Sequence, residues 1–166
     1  MRTSSVALAA TLAVISITTS LSGQRPEEAI DPRSVQLVEQ GRALKAQGSL
    51  EGATDLLETA VAVDPRNRAG FITLAQVAEA RDLPGKAIRL YREALLLQPN
   101  DLAALRGQGE ALVAKGAIVR ARENLAKIRS LCKAGCAEAT VLAAVIAKGP
   151  PVTTAAVVTK PTTAKE

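Results

Sequence analysis

The sequence contains no histidine and no tryptophan, and it has one phenylalanine and one tyrosine among 166 residues. Histidine is the commonest general base and a frequent metal ligand, so its absence excludes Ser-His-Asp catalysis and most zinc sites. The scarcity of aromatic side chains disfavours a β-rich fold. Hydrophobic residues make up 48% of the chain and are mostly Ala, Leu, Val and Ile, a composition that favours closely packed helices.

The charged residues are not concentrated in one region or in one sign. The chain has 21 Lys and Arg against 16 Asp and Glu, a net charge of +5, and both signs are mixed over the predicted helical region. A nucleic-acid-binding surface usually clusters basic residues and supplies aromatic side chains for stacking. We therefore expect a solvated helical surface, no nucleic-acid partner, no small-molecule substrate, no cofactor, no metal and no enzymatic activity.

The N-terminal 22 residues have the organisation of a secretory signal peptide. Arg2 supplies a positive charge, residues 6–17 are apolar or small, and Ser20-Leu21-Ser22 offers the small residues that signal peptidase requires. We expect export across a bacterial inner membrane and a periplasmic location. An uncleaved segment is the alternative, although it is short compared with the about 20 apolar residues of a transmembrane helix. It would tether the protein as an accessory factor for pilus or envelope assembly.

Two other segments differ in composition from the body of the chain. Residues 23–33 read as a linker, and residues 149–166 form a tail rich in Pro, Thr and Ala. The tail lacks helical periodicity and is predicted to be disordered. The folded domain is therefore predicted to span residues 34–148.

Residues within this domain recur every thirty-four positions. Pro65 recurs as Pro99, and Ala53 recurs as Ala87 and again as Ala121. A period of this length is typical of stacked helix-turn-helix units. The pattern predicts an all-α solenoid of about three repeats, followed by a helix that covers the open end. The predicted repeats are 34–67, 68–101 and 102–135, and the predicted capping helix is 137–148.

The pattern resembles the tetratricopeptide repeat (TPR) family over residues 34–131. The family has characteristic large residues, small residues and a proline at set positions of each unit. In unit one these are Leu37, Gly41, Ala53, Leu57, Ala60 and Pro65. In unit two they are Phe71, Ala75, Ala87, Tyr91, Ala94 and Pro99. Unit three keeps Gly109 and Ala121 but departs at Ile128 and Lys133. The resemblance implies an α-α superhelix that binds other proteins, in which Gly41, Ala75 and Gly109 let the second helix of a unit cross close to the first.

The resemblance also implies that the first helix of each unit lines a concave groove. The residues expected to be exposed in that groove are Val38, Arg42, Lys45, Ile72, Gln76, Glu79, Arg106 and Glu110. Val38 and Ile72 would form an apolar strip flanked by basic side chains, suited to an extended or helical peptide with an acidic end. The asparagines with which one branch of the family binds a C-terminal carboxylate are absent. A solvated face without a specific ligand is the alternative.

Cys132 and Cys136 are the only cysteines. In an oxidising compartment, two cysteines so close together predict a structural disulfide that fixes the angle of the last helix. A thiol–disulfide redox role is the alternative, although the spacing differs from the C-x-x-C of thioredoxin-like sites. Gly107-Gln108-Gly109 resembles the start of a dinucleotide-binding loop, but no strand precedes it, so we interpret it as helix interior.

Overall fold

The computed structural model describes residues 29–132 and 135–151, and within them it contains seven α-helices and no β-strand. The helices are α1 (Pro32–Ala46), α2 (Leu50–Val63), α3 (Arg68–Ala80), α4 (Pro84–Leu97), α5 (Leu102–Ala114), α6 (Ile118–Leu131) and α7 (Ala137–Lys148). The prediction of an all-α helical repeat fold is confirmed. The predicted signal peptide, most of the linker and nearly all of the C-terminal tail lie outside the described residues.

The first helix of each unit begins at a side-chain cap. The side chains of Asp31, Asn67 and Asp101 accept hydrogen bonds from backbone N–H groups in the first turns of α1, α3 and α5. These caps satisfy donors that have no partner within the helix. At α1 the cap is followed by Pro32, whose missing N–H costs nothing in the first turn. The sequence thus sets where each unit starts.

The turn inside each unit uses a left-handed residue at the same register. Gly48, Asp82 and Gly116 have φ values of 80°, 55° and 74°. A residue with positive φ ends a helix by turning the chain away from its axis, and glycine does this without steric cost. Units one and three therefore use glycine, whereas unit two uses aspartate. This repeated turn makes α1–α2, α3–α4 and α5–α6 into three similar hairpins.

The hairpins stack in chain order, and the stack is curved. Helix α1 contacts α3, α3 contacts α5 and α5 contacts α7, whereas within the described residues no contact joins α2 with α4 or α4 with α6. Helices that approach one another more closely lie on the inner side of a curve. The odd-numbered helices therefore line the concave face, and α2, α4 and α6 lie on the convex face.

Small residues permit these close approaches. A Cβ atom on Gly41 would lie 2.6 Å from Leu57 Cγ, so glycine is required where α2 crosses α1. At Gly109 the nearest side chain is Leu142 of α7, where a Cβ would lie 2.6 Å from the Leu142 methyl carbon Cδ2. This glycine thus makes room for the closing helix α7.

Buried polar contacts also hold the start of α3, which Asn67 caps, against the first hairpin. The Ser34 hydroxyl donates to the Ala60 carbonyl over 2.7 Å, and Asn67 Nδ2 donates to Ser34 Oγ over 2.8 Å. Since Ser34 and Asn67 are both buried, each of these groups would be costly without its partner. The contacts thus fix the position of α3 relative to the first hairpin.

Candidate functional site

The concave face has no exposed apolar strip of the predicted kind. Val38 is only 2% exposed and packs in the core with Leu57, Leu74 and Val77. The prediction that Val38 lies open in the groove is therefore wrong, because the close approach of α3 to α1 covers it. Ile72 is half-buried and packs against the core of unit two.

Polar side chains instead connect α1 and α3 across this face. Arg42 Nε donates to Thr73 Oγ1 over 3.4 Å, and the same guanidinium pairs with Glu39 at 2.5 Å. One turn further along, Lys45 Nζ donates to Gln76 Oε1 over 2.5 Å. The structure therefore brings together three of the predicted groove residues, Arg42, Lys45 and Gln76.

A second polar group lies between α3, α4 and α5. The Tyr91 hydroxyl donates to Glu79 Oε2 over 2.8 Å, and Arg106 Nη1 pairs with Glu110 Oε1 at 2.7 Å. The pKa of Glu79 is raised to about 7, mainly because the carboxyl is buried. The hydrogen bond from Tyr91 lowers this pKa, whereas the negative charge of Glu110 raises it further. Burial and the nearby Glu79 carboxyl also raise the pKa of Tyr91. This part of the groove thus holds a carboxyl group that titrates near neutrality.

The position of Tyr91 depends on Gly107. A Cβ atom on Gly107 would lie 2.2 Å from Tyr91 Cζ, so any other residue there would clash with the ring. Sequence reasoning missed this pair, because Gly107 was considered only as part of a loop motif. The available signal was that glycine appears at this register in unit three alone, where units one and two have Glu39 and Thr73.

The concave face ends in an open apolar groove between α5 and α7. It has a volume of about 430 Å³ and is lined by Glu110, Val113, Val145, Lys148 and Pro150, among others. Glu110 belongs both to this groove and to the polar group described above. The candidate surface is therefore continuous from Arg42 on α1 to the C-terminal end of α7.

Solved structures share this arrangement of helices. The first TPR of Spaghetti (RPAP3), bound to the HSP90 peptide SRMEEVD, has a TM-score of 0.65 and 21% identity, covering 70% of this chain and 91% of that one. The fold is that of the TPR proteins. A TPR protein from Parabacteroides merdae has a TM-score of 0.65 and 21% identity, with coverage of 75% and 48%. No protein-family model and no curated protein sequence matches the chain.

A third similar structure comes from a secretion system. The Yersinia enterocolitica type III secretion chaperone SycD, in complex with a peptide of the translocator YopD, has a TM-score of 0.60 and 19% identity and covers 69% of this chain and 86% of that one. At identities this low, the similarity establishes the fold.

The two cysteines form a disulfide in this TPR fold. The sulfur atoms of Cys132 and Cys136 are 2.14 Å apart, and the bond connects the end of α6 to the start of α7. Both residues pack against the core shared by α5, α6 and α7. The two cysteines are thus brought together as expected, at a point where they constrain the closing helix.

Within residues 29–132 and 135–151, no three His, Cys, Asp or Glu side chains are grouped closely enough to hold a metal ion. None of the helices in this part combines the length and the apolar character needed to span a bilayer.

Proposed function

We propose that the chain is a non-catalytic TPR interaction module that binds a segment of another protein on its concave face. The observation that carries the proposal is the ordered contact of α1, α3, α5 and α7, which aligns one helix of each unit on a single surface. Two of the similar structures hold a peptide, which supports the same use of this fold here. The absence of histidine supports a role without catalysis.

The side chains on this surface indicate what kind of segment it binds. Arg42 is exposed and Lys45 is half-buried at the α1 end of the face, whereas Glu79 and Glu110 lie toward its other end. A peptide with an acidic end would place that end over Arg42 and Lys45. Its remaining residues would lie toward the apolar groove between α5 and α7. Because such charge pairs are partly solvated, we expect the affinity to fall as salt concentration rises.

The proposed location follows from the N-terminal sequence alone. We propose that residues 1–22 direct export and that the module acts in the periplasm as an adaptor or assembly factor. The intact mass of the protein recovered from its host tests this. Loss of about 22 residues would support a soluble periplasmic adaptor. An unprocessed N-terminus would favour the membrane-tethered assembly factor instead.

Peptide selection followed by mapping tests the binding proposal. A displayed library of random peptides is panned against the full chain. The binding site of the selected peptide on the protein is then mapped by hydrogen exchange of the protein with and without that peptide. Because the odd-numbered helices line the groove, we expect added protection on α1, α3 and α5. Protection confined to α2, α4 and α6 would place binding on the convex face and contradict the proposal.

A further inference from the structure

Helix α7 has the register of the first helix of a fourth unit. Ala143 lies thirty-four positions after Gly109, and Ile146 lies thirty-four after Leu112. Helix α7 packs on α5 and α6 in the same way that α3 packs on α1 and α2. In the described residues, however, no helix follows α7, because they end at position 151. Within the described residues, the fourth unit thus has a first helix and no second one.

The surface that a second helix would cover is open. In unit one, the small residue of α1 is covered by Leu57 of α2, since a Cβ on Gly41 would lie 2.6 Å from Leu57 Cγ. The corresponding Ala143 instead borders an open groove of about 550 Å³ between α6 and α7. Apolar parts of its lining come from Leu125, Ala126, Ala143, Ile146 and Ala147. This groove is separate from the concave face.

Two arginines border this groove at positions that are apolar in unit two. Ile88 and Leu95 of α4 pack against clusters that include residues of α5. Thirty-four positions later, the same register holds Arg122 and Arg129, both exposed and both lining the groove. They are seven residues apart, about 10 Å along α6, and lie on the same side of the helix. The groove therefore combines an apolar lining with two positive charges on one wall.

We propose that this groove binds an amphipathic helix of a partner protein whose apolar face is flanked by acidic residues. Such a helix would complete the fourth unit, and its carboxylates would meet Arg122 and Arg129. The chain's own residues 152–166 are a poorer match, because their charged residues are two lysines and one glutamate. A second copy is also disfavoured, since the apolar residues Ala53, Leu57 and Ala60 of its acidic helix α2 are buried.

Two synthetic peptides taken from the chain itself provide the probes. The peptide with the sequence of residues 50–63 has three carboxylates and no basic side chain, and in the protein it serves as the second helix of unit one. The peptide with the sequence of residues 118–131 is the second helix of unit three, with four basic residues and one acidic residue. In fluorescence anisotropy with the full chain, we expect the acidic peptide to bind at least about tenfold more tightly. Equal affinities, or no binding of the acidic peptide, would overturn the proposal.

Two variants, each with a matched control, test whether the acidic peptide binds in the groove. Ala143→Leu fills the groove and should abolish binding of the acidic peptide, whereas the control Ala144→Leu, on the exposed side of α7, should leave it unchanged. Equal loss in both variants would overturn the proposal.

The double substitution Arg122→Glu and Arg129→Glu, at exposed sites, should reverse the preference toward the basic peptide. Its matched control is Arg120→Glu with Lys127→Glu, on α6 but outside the groove lining.

Crosslinking distinguishes the occupants. A photoreactive amino acid is placed at Ala147, on the edge of the groove, in the full chain. Crosslinks to the added acidic peptide support the proposal. Crosslinks to residues 152–166 of the same chain, or a covalent dimer, would show that the tail or a second copy covers the groove and would overturn it.

Discussion

The hydroxyl group of Tyr91 donates a hydrogen bond of 2.8 Å to the carboxylate of Glu79, and this bond connects the core of unit two to the concave face. Tyr91 is 2% exposed, and its ring lies where α5 has no side chain at Gly107. Three helices therefore depend on one aromatic residue. This contact shapes the proposed groove, and it partly opposes the effect of burial on the pKa of Glu79.

Replacing Gly107 by alanine should destabilise the protein. The added Cβ would lie 2.2 Å from Tyr91 Cζ, and the ring is held by its bond to Glu79. Overpacking of this kind costs about 1–3 kcal/mol, of which the higher helix propensity of alanine offsets up to about 1 kcal/mol. Urea unfolding of Gly107→Ala measures the change.

Gly85→Ala is the matched control for this substitution. Gly85 is also helical, in the first turn of α4, and a Cβ there would meet nothing within 4 Å. We expect this variant to be unchanged or stabilised by up to about 1 kcal/mol. Equal stability of the two variants would show that Tyr91 does not occupy the space above Gly107.

The Glu79 carboxyl should make stability depend on pH. Its folded pKa of about 7 lies above the ordinary value of 4.5, mainly because of burial. The folded state therefore binds the proton more tightly than the unfolded state does. The stability that this proton contributes is fully present below about pH 4.5 and is lost as pH rises through 7. Relative to wild type, Glu79→Gln should gain about 1 kcal/mol between pH 5 and 8, a value reduced for partial exposure.

Thermal unfolding of wild type and Glu79→Gln across this pH range provides the measurement. A parallel pH dependence of both proteins would mean that Glu79 is not the titrating group. Glu93→Gln, on the next helix, serves as the control with the same change of charge, and it should follow wild type.

Ala87 tests the close packing of the helices. It is completely buried in the core of unit two. Ala87→Leu adds three carbon atoms to a site without space and should destabilise by about 1–3 kcal/mol. Ala62→Leu, at an exposed position of α2, should change stability little. An unchanged melting temperature in Ala87→Leu would contradict the helix pairing described here.

The disulfide should act on the position of α7. Replacing Cys132 and Cys136 together by serine removes the connection between α6 and α7. Because the closed loop is short, we expect a loss of about 1–2 kcal/mol, with faster hydrogen exchange in α7 and little change in α1–α4. A redox role predicts a different outcome. The disulfide would then be reduced at the potential of thiol–disulfide exchange proteins, and its loss would not change hydrogen exchange in α7.

Much of the fold could be predicted because the repeat pattern is local. Proline and alanine recur at a fixed spacing, and each acts within its own hairpin or at its immediate boundary. The start of α1 after Asp31 and the left-handed turn at Gly48 depend on neighbouring residues alone. Such features can be read without knowing how the hairpins stack.

The composition of the groove was harder to predict because it depends on contacts between units. Val38 occupies a register expected to be exposed, but the approach of α3 buries it. Tyr91 and Gly107 belong to adjacent units, and their contact depends on where α4 crosses α5. Arg42, Lys45 and Gln76 were identified correctly as residues of the first helices, whereas the hydrogen bonds that connect α1 with α3 through them were not predicted.

The concave face is proposed to bind a peptide. The most direct test is the affinity of the selected peptide, by calorimetry, for two double variants with the same change in charge. Arg42→Glu with Arg106→Glu alters the concave face, and Arg89→Glu with Arg120→Glu alters exposed positions on the convex helices. Both should keep the helical circular-dichroism spectrum of wild type. We predict that the concave variant loses at least about tenfold in affinity while the convex variant retains it. Equal affinities would show that the peptide does not bind on the concave face.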